Sequence, residues 1–105
     1  MFTVICTLDA QPGKEEVVRQ ALLSLVPLTR EEEGCVEYHL HECLGQEGRF
    51  VFYENWKTKE DWEKHLQMPY MQEALGKAAE LFANQIELDK VQFDMLSEPA
   101  QRERA

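Results

Sequence analysis

The period at which hydrophobic residues recur changes several times along the chain, and these changes limit the folds that it can adopt. Residues 2–10, 35–43 and 49–57 alternate their side chains with the period of two that is typical of β-strands. Between the first two runs the apolar residues recur at spacings of three and four, which predicts an amphipathic helix: Val18, Ala21, Leu22, Leu25 and Leu28. Pro27 falls inside this stripe and predicts a kink or an early stop, and Gly34 ends the element.

The second half of the chain repeats the change of period. Thr58, with Asp61 three residues on, matches a capping pattern, so a helix is predicted from about residue 59, with Trp62 and His65 on its apolar face. Pro69 interrupts it, and a second helical stretch follows. A last strand is predicted over residues 86–96. The order β-α-β-β-α-β predicts a ferredoxin-like α+β fold with an antiparallel sheet and both helices on one side.

The chain has 105 residues, 44% of them hydrophobic, which fits one domain with a packed core. We expect that domain over residues 1–96 and a polar C-terminal tail over 97–105. The sheet face away from the helices needs cover, and we expect it to carry Tyr38, Leu40, Val51 and Tyr53, which are too apolar to face water. A homodimer that buries this face, as a dimeric α+β barrel, is therefore predicted.

The net charge of −9 argues against nucleic-acid binding through phosphate neutralisation and against binding to an anionic membrane surface. No run approaches the ~20 apolar residues of a membrane helix, and the N-terminus has no basic segment typical of a signal peptide. A cytoplasmic location and three reduced cysteines follow as expectations. The short acidic run at residues 31–33 is interpreted as a solvated helix end.

Two ionisable residues stand out because they lie beside large apolar side chains. His65 is either a general base in a pocket or a buried histidine that donates one hydrogen bond. Glu54 shares its strand face with Phe52 and Trp56, where a carboxylate is costly unless it is paired or functional. It would pair with His65 as base and orienter, form an ion pair with a lysine or arginine, or lie in water at a strand end.

The remaining candidates favour structural roles. His39 and His41 point the same way and could bind a divalent metal with Glu37, but a solvated polar stripe is the favoured interpretation. Cys6 has apolar strand neighbours and is expected in the core. No glycine-rich phosphate loop, Cys-x-x-Cys or His-Glu-x-x-His motif is present, so the candidates for chemistry are few and no metal site is predicted.

Four short motifs, taken in order, resemble the antibiotic biosynthesis monooxygenase family, with its bacterial quinol monooxygenases most alike. They are Pro12-Gly13-Lys14, Glu32-Glu33-Gly34-Cys35, residues 50–56 (FVFYENW) and residues 65–69 (HLQMP). The resemblance covers residues 1–96 and implies a dimer with a cavity between sheet and helices in each subunit. It also implies functional roles at Glu54, Trp56 and His65. The chain departs from many relatives at Tyr70, where they have a second histidine, and it lacks the haem ligand of the haem-degrading branch.

The leading hypothesis from the resemblance is a cofactor-independent monooxygenase that oxidises a quinol or dihydroxyaromatic with O2. His65 would remove a phenolic proton, Glu54 would orient or charge-stabilise it, and a dry pocket would be walled by aromatic residues: Phe52, Trp56, Trp62 and Tyr70. The first alternative is a proton-transfer isomerase of a phosphorylated signalling sugar, which would need cationic residues at the pocket. The second is a dimer that binds a small apolar ligand without turnover.

Overall fold

The structure is a computed structural model that describes residues 1–97. Four strands and four helices lie within this range. In chain order they are β1 (Phe2–Asp9), α1 (Glu15–Arg30), β2 (Cys35–Glu42), β3 (Arg49–Trp56), α2 (Lys59–Leu66), α3 (Pro69–Gly76), α4 (Ala78–Leu81) and β4 (Gln92–Asp94). A single 3-10 turn, Leu88–Lys90, precedes β4.

The strands form one antiparallel sheet in the order β2-β3-β1-β4. This arrangement confirms the predicted ferredoxin-like α+β class, in which the first and third strands are central. The helices cover one face of the sheet, and the core lies between the two layers. Alternate strand residues on that face are almost fully buried: Val4, Leu8, Phe50, Phe52 and Trp56.

The face of β2 that packs inward differs from the prediction. Tyr38 pairs with Glu54 and Leu40 with Phe52, so both apolar side chains lie on the helix-covered face and not on the open one. Tyr38 is 2% exposed. A register irregularity between Cys35 and Glu37 sets this alignment. Tyr38 and Leu40 therefore cannot contribute to a dimer interface on the open face.

The open face is nevertheless partly apolar. It carries Val51 and Tyr53 as predicted, together with Ile5, which pairs with Tyr53, and Phe93, which pairs with Thr3. Ile5 is 41% exposed and Phe93 48% exposed. Burial of this face against a second copy stays a prediction.

Helix α1 does not stop at Pro27. It continues to Arg30, because Pro27 removes only one backbone donor near the helix end while the buried stripe continues through Leu25 to Thr29. Helix α2 begins as predicted: the backbone N–H of Asp61 donates to Oγ1 of Thr58 at 3.1 Å.

The last strand is much shorter than residues 86–96. Residues Leu88–Lys90 form a helical turn. The backbone N–H of Lys90 donates to the carbonyl of Glu87, and the side chains of these two residues form an ion pair. This local pairing competes with extended structure, so β4 is confined to Gln92–Asp94. Within residues 1–97 no helix is long and apolar enough to cross a membrane. Of the predicted tail, residues 98–105 lie outside the described range.

Candidate active site

A cavity of about 320 Å³ lies between the sheet and the helices. Its floor is the inner face of the sheet, with Val4, Cys6 and Leu8 from β1 and Phe52 from β3. Its walls come from all four helices and the segment around the 3-10 turn. Most of the lining is apolar, so the few polar side chains that reach the cavity stand out as candidates for chemistry.

His65 reaches the cavity from the last turn of α2 and is 1% exposed. Its Nδ1 lies 2.7 Å from Oε2 of Glu32. Its ring packs 4.8 Å from the Trp56 ring, measured between centroids. Burial lowers the pKa of His65, and the nearby Glu32 carboxylate partly opposes this. This downward shift favours the neutral imidazole near pH 7.

The tautomer of His65 follows from these contacts. A neutral imidazole that faces a carboxylate carries its proton on Nδ1 and donates it to that carboxylate. Nε2 is then the unprotonated nitrogen, and no residue in 1–97 hydrogen-bonds to it. Since His65 lines the cavity, Nε2 is available as a base to a bound molecule.

Glu32 lies in the turn that follows α1 and is mostly buried, with a side chain 13% exposed. Besides His65, its Oε2 accepts a hydrogen bond from the hydroxyl of Tyr70, whose oxygen also lies 3.3 Å from Oγ1 of the fully buried Thr29. Burial and the hydrogen bond to Glu32 raise the pKa of Tyr70, so its hydroxyl stays protonated. One carboxylate thus anchors both His65 and Tyr70.

Glu54 reaches the cavity from β3 and is 5% exposed. Its Oε1 accepts a hydrogen bond from Nε1 of Trp56 at 3.0 Å. Burial raises the pKa of Glu54 to about 7, the Trp56 hydrogen bond lowers it, and the charge of Glu32 raises it further. A carboxyl group with such a pKa exchanges its proton readily near neutral pH.

The predicted site residues occupy two positions relative to the cavity. Five line it: Phe52, Glu54, Trp62, His65 and Tyr70. Trp56 does not reach the lining; it is completely buried behind it, between the ring of His65 and the carboxyl of Glu54. The prediction that Glu54 pairs with His65 is wrong, because Glu32 holds the imidazole instead.

Glu32 is the residue that sequence reasoning missed. It is the middle member of the acidic run at 31–33, and such a run is normally solvated. Only Glu32 turns inward, while Glu31 and Glu33 are exposed. Its place in the motif at residues 32–35, two residues before Gly34, is the one sequence signal that distinguishes it, and this motif alone does not indicate a chemical role.

No group of three potential metal ligands comes together anywhere in residues 1–97. His39 and His41 lie on the open face of the sheet, as the solvated stripe predicts, and both are exposed. Cys6 lines the cavity, but burial raises the pKa of its thiol to about 12, so it is protonated at neutral pH and a poor nucleophile.

The chain is similar to several known proteins. Residues 1–77 match the family model described as "Antibiotic biosynthesis monooxygenase". "Putative monooxygenase YcnE" from Bacillus subtilis is 28% identical over 93 residues, which cover 89% of this chain and 98% of that protein. The Synechocystis protein sll1783 is 27% identical over 87 residues; the match covers 83% of this chain but only 59% of that protein.

Among solved structures, PA3566 from Pseudomonas aeruginosa superposes with a TM-score of 0.82 at 28% identity, covering 91% of this chain and 94% of that one. The family match spans most of the chain and agrees with the observed fold, so this chain belongs to the antibiotic biosynthesis monooxygenase family.

Proposed function

We propose that this protein is a cofactor-independent monooxygenase that oxidises a quinol or electron-rich dihydroxyaromatic with O2. The proposal is based mainly on the geometry of the buried His65, whose Nδ1 is held by Glu32 and whose Nε2 has no partner within residues 1–97, beside an apolar cavity. Deprotonation of a phenol gives an electron-rich anion, and an apolar enclosure keeps that anion reactive toward O2.

His65 is the base in this mechanism. A phenol with a pKa of ~10 loses its proton to an imidazole with a pKa of ~6.5 only at a cost of roughly 5 kcal/mol in water. The Glu32 carboxylate, 2.7 Å from Nδ1, stabilises the imidazolium that forms and offsets part of this cost. Tyr70 holds the same carboxylate in place through its hydroxyl.

Glu54 acts as the second proton-exchanging group. Trp56 fixes one carboxyl oxygen by a hydrogen bond of 3.0 Å, and the other oxygen has no partner within residues 1–97. With a pKa of about 7, the carboxyl can hold the second hydroxyl of the substrate or return a proton to reduced oxygen. Glu54 therefore serves in catalysis, and Glu32 takes the orienting role.

The substrate supplies all the electrons. A hydroquinone and one O2 give a hydroxyquinone and one water: one oxygen atom enters the ring, the other leaves as water, and the diol becomes a dione. No external reductant is required for this balance, which is consistent with a site whose polar groups only move protons.

The isomerase alternative is less well supported. A sugar phosphate needs cationic side chains or a cluster of backbone N–H donors at its phosphate. Lys77 is the single lysine or arginine on the described lining of the cavity, and Glu73 neutralises it at 3.5 Å. The other alternative, a ligand-binding dimer, uses the same cavity and predicts binding without oxygen consumption.

The experiment is oxygen uptake by purified protein freed of metal and flavin, supplied with a panel of hydroquinones. We expect turnover by the wild type and at least a hundredfold loss in His65→Ala. His41→Ala, at an exposed position on the other face of the sheet, is the matched control and should retain full activity. Equal rates for wild type and His65→Ala would remove the base; tight binding without oxygen uptake would favour the ligand-binding alternative.

A further inference from the structure

We propose that the cavity takes an amphiphile, in which a hydroxylated aromatic head lies against Glu54 and His65 and an apolar tail leaves over three exposed leucines. These leucines, here called the leucine rim, are Leu28, Leu75 and Leu88. The identity of the head rests on the proposed function, whereas the tail rests on the shape and polarity of the cavity alone.

The polar groups are confined to one end of the sheet floor. In the strand register, Glu54 on β3 is flanked by Val4 on one side and Tyr38 on the other. The His65 ring lies 5.7 Å from the Tyr38 ring, so the imidazole belongs to the same level of the sheet. Tyr70 is next to it, with 6.2 Å between the centroids of its ring and the His65 ring. This end is the place for a head with two hydroxyl groups.

The floor becomes apolar away from this end. The next inward level pairs Cys6 with Phe52, and the one after it pairs Leu8 with Phe50. Leu8 is four residues from Val4, so the floor extends ~13 Å along the strand. At its far end Phe82 bridges to Ala10, which places another apolar ring beside Leu8. The polar and apolar ends are thus separated by more than the length of one aromatic ring.

The volume leads to the same conclusion. An apolar cavity of ~150 Å³ is enough to hold one benzene ring. At about 320 Å³ this cavity is roughly twice that size, so a single dihydroxyaromatic ring would leave about half of it unfilled. Empty apolar space is a loss of contacts, and an apolar substituent on the ring would fill it.

The leucine rim indicates where the substituent goes. Leu28 is 48% exposed, Leu75 37% and Leu88 42%, yet all three line the cavity. They come from three different elements, α1, α3 and the 3-10 turn, and each borders both the cavity and the surface. Lys77 and Glu73, which also line the cavity, form an ion pair that is neutral overall and offers no net attraction to an ionic group. An apolar tail that passes the rim would cover leucines that otherwise face water.

The test measures binding without turnover. Under anaerobic conditions, calorimetry would give the affinity of unsubstituted, propyl, hexyl and nonyl hydroquinone for the full chain. We expect Kd to fall about threefold to fourfold for each methylene that enters the cavity or crosses the rim, and then to level off. The variant Leu75→Ser/Leu88→Ser should reduce the gain from the longer chains about tenfold and leave the unsubstituted compound unaffected.

Leu23→Ser is the control, since Leu23 is also an exposed leucine of α1, at 46%, but does not line the cavity. Affinities that do not change with chain length would overturn the tail even if the protein oxidises hydroquinones. A chain-length effect without any oxygen uptake would support the amphiphilic ligand and contradict the proposed oxygenase activity. A rim variant that alters the oligomeric state but not the chain-length effect would assign the leucines to a second copy and overturn the proposal.

Discussion

Replacing Glu32 by Gln tests the role of a carboxylate that contacts no cavity ligand itself. In the wild type, Oε2 of Glu32 accepts from Nδ1 of His65 at 2.7 Å and from the hydroxyl of Tyr70. Glutamine keeps the size and one acceptor but removes the charge. The imidazolium that forms during proton abstraction then loses its counter-charge, while the resting, neutral imidazole loses much less.

The expected loss follows from the strength of a hydrogen bond to a charged group, about 1.5–3 kcal/mol. If it is made fully only in the transition state, kcat/KM falls roughly tenfold to a hundredfold. The pH dependence should change as well. The Glu32 charge raises the pKa of His65, so its removal lowers that pKa, and the acid limb of the rate profile moves to lower pH.

The assay is the pH profile of oxygen uptake with one hydroquinone substrate. Glu33→Gln is the matched control, because Glu33 is the exposed neighbour in the same acidic run. Thermal unfolding of both variants would separate a loss of fold from a loss of base. If Glu32→Gln matches Glu33→Gln in both rate and acid limb, the proposed positioning of His65 is refuted.

Three further predictions concern stability and assembly. The pKa of Glu54 is about 7 in the folded chain against an ordinary 4.5, so the folded state binds a proton more tightly than the unfolded chain. The free energy of unfolding of the wild type, measured in urea, should therefore fall by roughly 3 kcal/mol from pH 4.5 to 8 relative to that of Glu54→Gln. The same pH dependence of stability in both proteins would contradict this. A Cβ at Gly34 would lie 2.3 Å from Cγ of Asp61, so Gly34→Ala should lower the stability measured by thermal unfolding by about 1–3 kcal/mol. Gly45→Ala is the control, because Gly45 has open space around it, and an equal loss in both variants would contradict the steric explanation. Ile5→Lys, on the open sheet face, should turn the predicted dimer into a monomer in sedimentation experiments, and an unchanged mass would rule that face out as the interface.

The sequence predicted the parts of the fold that have a clear period. The first three strands, α1 and the cap of α2 at Thr58 follow from residues within one element. The face of β2 that packs inward could not be predicted, because alternating side chains define two strand faces without indicating which one the helices cover. The predicted length of the last strand was wrong for a local reason: the segment Glu87–Lys90 forms a helical turn through its own hydrogen bond.

The candidate site was predictable only in part. His65 and Glu54 stood out because each is a polar residue beside large apolar ones, and both reach the cavity. The partner of His65 depends on a contact between distant segments, because Glu32 is 33 residues away from His65 in sequence. Glu54 instead has its partner two residues away, in Trp56, on the same strand face. Local patterns therefore identify groups that need a partner, but they cannot identify a partner that is distant in sequence.

The proposed reaction combines O2, inside the cavity, with a substrate that provides all the electrons. The most direct test is turnover of a hydroquinone under ¹⁸O2 by protein free of metal, flavin and external reductant, followed by mass spectrometry. We expect a hydroxyquinone with one ¹⁸O atom and one labelled water for each O2 consumed. A simple quinone with hydrogen peroxide, or a product without label, would contradict it.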